Sequence, residues 1–170
     1  APTFATNALN GRDGVTFSGT KYMNILNASQ LNNDNSVSWT SVHETSSLAS
    51  AQIVLSTDYA NLNYRWMHAI LASNFKSRAK GDNGTVKFVG TGGSTSATIQ
   101  TSTINGTSAQ LDSYVDGTSI GSTTMNAFTV TSHTKTTIGK NTFNGGGPFI
   151  GNVYEVIAID QEINLTQRIL

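Results

Sequence analysis

The chain has no cysteine, two prolines, and charged residues at only 12% of its 170 positions. Without cysteine there are no disulfides, no thiol chemistry and no thiolate metal ligands. Ten Lys plus Arg stand against ten Asp plus Glu, so the basic excess that phosphate backbones demand is missing and nucleic acid is excluded as a partner. No apolar run approaches the roughly 18 residues of a membrane helix, and membrane insertion is not expected. Helix formers such as Glu, Lys and Arg are scarce, which argues against a helical bundle. What fills the chain instead is Thr (24), Ser (19), Asn (17) and Gly (16), together 76 residues. Thr and Ser interleaved with Val, Ile, Phe and Tyr, and punctuated by Gly and Asn, describe β-surface.

The pattern along the chain supports that reading. Residues 13–26 alternate as a strand, a Gly-bearing turn and a second strand. Residues 36–43 alternate again, with Val37, Trp39 and Ser41 on one side, and 51–56 form a short apolar strand. In 61–73, Leu62, Tyr64, Trp66 and His68 share a parity, which favours a strand over a helix. Lys76, Arg78 and Lys80 share another; with Arg65 and Lys87 the stripe is expected to guard a strand edge, and its alternative role is to meet an acidic glycan or a neighbouring subunit. Thr85–Val89 is expected to be a strand broken by the glycines that follow. The second half carries short strands over 97–103, 109–115, 118–124, 128–131, 135–138 and 151–159. Asp116-Gly117 between two of them is the strongest hairpin signal. Strands spaced roughly every 8–12 residues indicate a sandwich or barrel. One domain over residues 1–170 suits the length.

Two segments resemble a known family. Ala8–Gly19, ALNGRDGVTFSG, is similar to the opening of bacterial and phage laminin-G-like domains. LDSYVDGTSIG at 111–121, Ile138-Gly139, and FIGNVYEVIAI at 149–159 resemble the tail of that family, and INLTQRIL at 163–170 its closing helical turn. The resemblance implies an all-β fold: a two-sheet antiparallel β-sandwich, the concanavalin-A-like jelly roll. In the tail, Phe149, Val153, Ile157 and Ile159 share a parity and are expected to face the core, while Gly151 permits a close approach or a bulge. Relatives often follow the first motif with two aspartates. Here Gly19-Thr20-Lys21-Tyr22 has no carboxylate, so a cation site there is not expected. The chain also starts where relatives carry upstream strands and stops within the closing helix, so it is expected to be the ordered part of a longer polypeptide or a shortened variant.

Catalysis is not expected. Glycosidases on this fold need paired carboxylates on one face. Here Glu155 and Asp160 differ in parity, and Asp160 and Glu162 fall past the strand. His43, His68 and His133 are dispersed, and no nucleophile elbow or phosphate loop is present.

Binding features remain. Tyr64, Trp66 and His68 beside Asn74 and Arg78 can offer an aromatic platform with polar groups for a sugar, although Tyr64, Trp66 and Trp39 also suit a core. Asn33-Asp34-Asn35 can be a turn or a calcium-binding loop. The expected role is a non-catalytic recognition or adhesion domain, extracellular, on a cell surface or on a virion. Its partner would be a glycan such as a host-surface saccharide. The alternative is a structural or decoration subunit of a phage particle or surface assembly that contacts other protein subunits.

Overall fold

In the computed structural model the described residues are 1–26, 36–57, 66–81, 84–105, 107–126, 135–141, 146–159 and 161–163. Asn33, Asp34, Asn35, Tyr64, Arg65, His133, the strand expected at 128–131 and the helical turn expected at the end lie outside them. Thirteen strands follow in order: β1 (Thr3–Leu9), β2 (Arg12–Ser18), β3 (Met23–Leu26), β4 (Ser36–Thr45), β5 (Gln52–Thr57), β6 (Trp66–Leu71), β7 (Asn74–Lys80), β8 (Val86–Gly92), β9 (Thr98–Asn105), β10 (Gln110–Val115), β11 (Thr118–Thr124), β12 (Lys135–Ile138) and β13 (Ile150–Ile159). They build two antiparallel sheets. Sheet A runs β1-β2-β13-β4-β9-β10-β11, and sheet B runs β3-β12-β5-β6-β7-β8. Among the described residues no helix is long and apolar enough to cross a membrane.

Local sequence explains several joints. Asp116 and Gly117 take φ of 49° and 77° and turn β10 into β11, the mirror-image turn that matches strand twist. The Asp116 carboxylate also accepts the Ile99 N–H at 2.8 Å, tying this hairpin to β9. Two hairpins were not anticipated. Asn10-Gly11 folds β1 onto β2, but β1 is exposed along most of its length and lacks the alternation that betrays a strand. Ala72 and Ser73 both adopt positive φ between β6 and β7, a conformation that residues of these types seldom advertise.

The tail motif behaves as a register device. Gly151 has φ of 151°, and a Cβ there would sit 2.0 Å from the Glu44 carbonyl oxygen. This is the close approach expected of it. The expectation for the rest of the tail is half right. Phe149 and Val153 are buried, but the ladder to β4 shifts between Val153 and Glu155. That bulge inserts one residue and reverses the parity. Ile157 therefore sits opposite Thr40 and is exposed, while Val156 packs on the core.

The core is mixed. Trp39 and Trp66 stack across the sheets at 4.6 Å, surrounded by Leu55, Ile70, Phe75 and Leu111. Between these apolar groups lies a buried polar file. Ser113 donates to the Thr101 carbonyl. Its oxygen must then accept from Ser77, which accepts from Ser102 and from the Gln100 amide. Ser102, having donated, accepts the Nε2 proton of His68 at 2.9 Å. Neutral His68 is left to accept at Nδ1 from Ser41 at 2.8 Å, and Ser41 accepts from His43 Nδ1 at 3.2 Å. The members come from β4, β6, β9, β7 and β10, alternating between the two sheets.

An extra proton disturbs the file. Protonated His68 would donate from both nitrogens, and Ser41, accepting from both histidines, would lose the acceptor for its own hydroxyl proton. Burial lowers His43 to about 4. Burial, then the neighbouring His43, holds His68 well below the usual histidine value. In the unfolded chain both titrate near 6.5. Below that value the unfolded state binds more protons, so stability falls with acidification from about pH 6.5 to about pH 4. For His43 alone the loss reaches about 3 kcal/mol. Urea unfolding at pH 7 and pH 4.5 checks this; an unchanged midpoint would contradict the file. Gly151→Ala is expected to cost more than about 2 kcal/mol at any pH, because backbone must move.

Candidate functional site

The candidate face is the outside of sheet B, over β6, β7 and β8. Along β7, Phe75, Ser77 and Ala79 point into the sandwich, and Asn74, Lys76, Arg78 and Lys80 point out. The ladders decide what stands beside them. Arg78 pairs with Phe88 on one side and Met67 on the other, and Lys76 pairs with Gly90 and Ala69. Phe88 is 56% exposed, and Lys76 Nζ lies 4.5 Å from its ring centroid. Aromatic surface and cationic groups are therefore continuous. No Asp or Glu occurs anywhere on these three strands.

Glycine shapes this face. β8 does not stop at Gly90 as expected but continues through Gly92. A Cβ at Gly90 would meet the Phe75 carbonyl oxygen at 2.8 Å and Lys76 Cγ at 2.9 Å. Only glycine lets the strands approach, and the missing side chains leave space beside Lys76 and Asn74. Asn74 Nδ2 donates to the Ala72 carbonyl at 2.6 Å, which fixes the amide at the hairpin.

The expected aromatic platform needs correction. Trp66 is 2% exposed and His68 is fully buried. They share parity with each other but not with the site: Trp66 pairs with Ala79, and His68 with Ser77, on the inner face. Trp66 stacks on Trp39, and His68 belongs to the polar file. Asn74 and Arg78 are the two expected residues that do face outward together. Phe88 is the aromatic that the sequence reading missed; its signal was its place in an alternating strand beside a basic one. Edge protection also fails as an account of Lys76, Arg78 and Lys80, since β7 is paired on both sides and β8 is the edge. Lys87 pairs with Ala79 and does not share the outward face.

A second polar group lies on the outside of sheet A. The Tyr154 hydroxyl donates to Glu44 Oε2 at 2.6 Å, and Asn152 donates to the same oxygen at 3.4 Å while accepting from Thr16. Desolvation, then the hydrogen bond to Glu44, pushes the Tyr154 hydroxyl above its ordinary value. Glu44 is thus held by its neighbours, with no second carboxylate in the group. Among the described residues no cluster of three His, Asp or Glu could hold a metal ion.

No protein-family model matches the chain, and no curated protein matches it in sequence. Solved structures do. A heptameric SAP-like pentraxin from Limulus polyphemus aligns at TM-score 0.72 and 11% identity, over 91% of this chain and 79% of that one. The CBM40 of a Ruminococcus gnavus IT-sialidase, bound to alpha2,3 sialyllactose, aligns at 0.71 and 13%, over 98% and 96%. The receptor binding domain of botulinum neurotoxin mosaic serotype C/D aligns at 0.75 and 12%, over 98% of this chain but 43% of that one. At such identities the likeness concerns the fold alone: the protein is a two-sheet antiparallel β-sandwich with the concanavalin-A-like jelly-roll fold.

Proposed function

We propose that the protein is a non-catalytic carbohydrate-binding domain that takes an acidic saccharide on the outer face of β7 and β8. The observation that carries this is exposed Phe88 flanked by Arg78 and Lys76 on strands that hold no carboxylate. Arg78 places a guanidinium, the group whose geometry suits a carboxylate, in the outward row. Phe88 offers apolar surface to the C–H face of a sugar ring. Lys76 adds a mobile charge, and Asn74, whose amide NH₂ is engaged by its own turn, keeps its oxygen for a sugar hydroxyl. The sialyllactose-bound CBM40 of the same fold supports this reading.

Single-site affinity on such an open face is weak, and multivalent display from a longer chain would raise it. Location outside the cell, on a cell surface or on a virion, fits a polar surface with few charges. Kinship with bacterial and phage laminin-G-like domains is supported by the tail motif, whose hairpin and Gly151 contact are both realised. A structural role in a particle is the second reading. Exposed Ile99 and Ile157 on sheet A, and Phe4 on the edge strand β1, favour it as surface for other subunits.

Titration calorimetry with sialyllactose and lactose tests the first reading. Sialyllactose is expected to bind and lactose to bind much less. Arg78→Ala is expected to weaken binding at least about tenfold, and Phe88→Ala comparably, with both proteins still folded at the assay temperature by thermal unfolding. Trp66→Ala is expected to destabilise the fold by about 3–5 kcal/mol instead. Equal binding of the two sugars, or an Arg78→Ala protein as tight as its parent, refutes the acidic-saccharide site.

A further inference from the structure

At the far side of sheet B a second cationic place is built from different elements. The turn between β2 and β3 and the connection after β12 enclose an open hollow of about 300 Å³, lined by Gly19, Thr20, Lys21, Tyr22, Lys140 and Pro148. Its walls are pinned by backbone hydrogen bonds. Gly19 N–H donates to the Phe149 carbonyl, Phe149 N–H to the Gly139 carbonyl, and Gly139 N–H to the Val54 carbonyl, at 2.8–3.0 Å. Gly139 holds positive φ of 94°, and a Cβ there would meet the Phe17 ring at 2.6 Å and the Lys21 carbonyl at 3.1 Å. The two lysine-bearing segments are therefore locked against each other through glycine. Ser56 Oγ adds a bond to the Lys140 carbonyl at 3.1 Å.

The side chains suit an anion. Lys140 Nζ sits 3.1 Å from the Tyr22 ring centroid, so a ring 43% exposed positions the ammonium at the hollow. No acidic residue lines the hollow, and neither Lys21 nor Lys140 has a carboxylate partner among the described residues. β12 stands three strands from β7, about 14 Å at ordinary strand spacing, so this place is distinct from Arg78 and Phe88.

We propose that Lys21, Tyr22 and Lys140 form a second anion-binding site, for a tetrahedral oxyanion such as the sulfate ester of a sulfated saccharide. Two ammonium groups are point charges whose donors rotate freely, which suits the diverging oxygens of a tetrahedral anion. The Arg78 fork, by contrast, suits a planar carboxylate. The site does not depend on the carboxylate reading of the other face.

Amide-resolved NMR titration of the whole chain with inorganic sulfate, and separately with acetate, tests it. Sulfate is expected to shift Lys21, Tyr22 and Lys140, and acetate to shift them less. A monosaccharide 6-sulfate is expected to shift the same amides. Lys140→Ala and Lys21→Ala are each expected to weaken sulfate binding about tenfold. Tyr22→Phe keeps the ring and should bind as the parent does, whereas Tyr22→Ala, which frees Lys140, should bind several-fold more weakly. The response should persist in Arg78→Ala, which separates this site from the first. Shifts confined to Lys76–Lys80, equal response to acetate, or full sulfate binding by Lys140→Ala overturns the proposal.

Discussion

The hydrogen-bonded file from His43 to the Thr101 carbonyl is the interaction on which the sandwich depends. It crosses between the sheets at four of its six steps. Apolar packing tolerates sliding, because any greasy surface meets any other. Hydroxyls and imidazoles buried without partners are expensive, so each bond in the file holds only when β4, β9 and β10 sit over β6 and β7 in one alignment. The file therefore specifies how the sheets stack, while Trp39, Trp66 and Phe75 supply much of the burial around it. Burial within the same file holds both histidines below their ordinary pKa, so acid is expected to weaken the fold.

That interior commitment shapes the exterior. With Trp66 and His68 spent on the core, the recognition surface has to come from the other parity of the same strands. There Met67 and Ala69 are closed from solvent, and only β7 and β8 offer reach. The outcome is an open face with one exposed ring and a row of cations in a chain of zero net charge. Neutrality overall does not preclude local polarity; here the separation arises because β6, β7 and β8 hold no acids at all.

Much of the secondary structure was legible from period-two patterning. β12 was expected with its observed bounds, and the Asp116-Gly117 turn lies where the dipeptide indicates. Other features were hidden for identifiable reasons. β1 is exposed on both faces at most positions and carries no alternation. The β13 bulge reverses the parity of Ile157 without any mark in composition. Gly90 reads as a strand breaker but serves as a close-packing residue inside one. Of the candidate sugar platform, Asn74 and Arg78 were placed on a usable face, while Trp66 and His68 were not.

By itself the sequence determined the fold class, the density of turns and the types of group available for binding. Those follow from local alternation and from residues whose backbone preferences act within a few positions. Only the tertiary structure decided which face of each strand meets water. Parity within a strand says which residues lie together, but not which side is inside. That choice is made by partners distant in sequence: Ser41 and Ser102 bring His68 inward, and in doing so turn Arg78 and Phe88 outward.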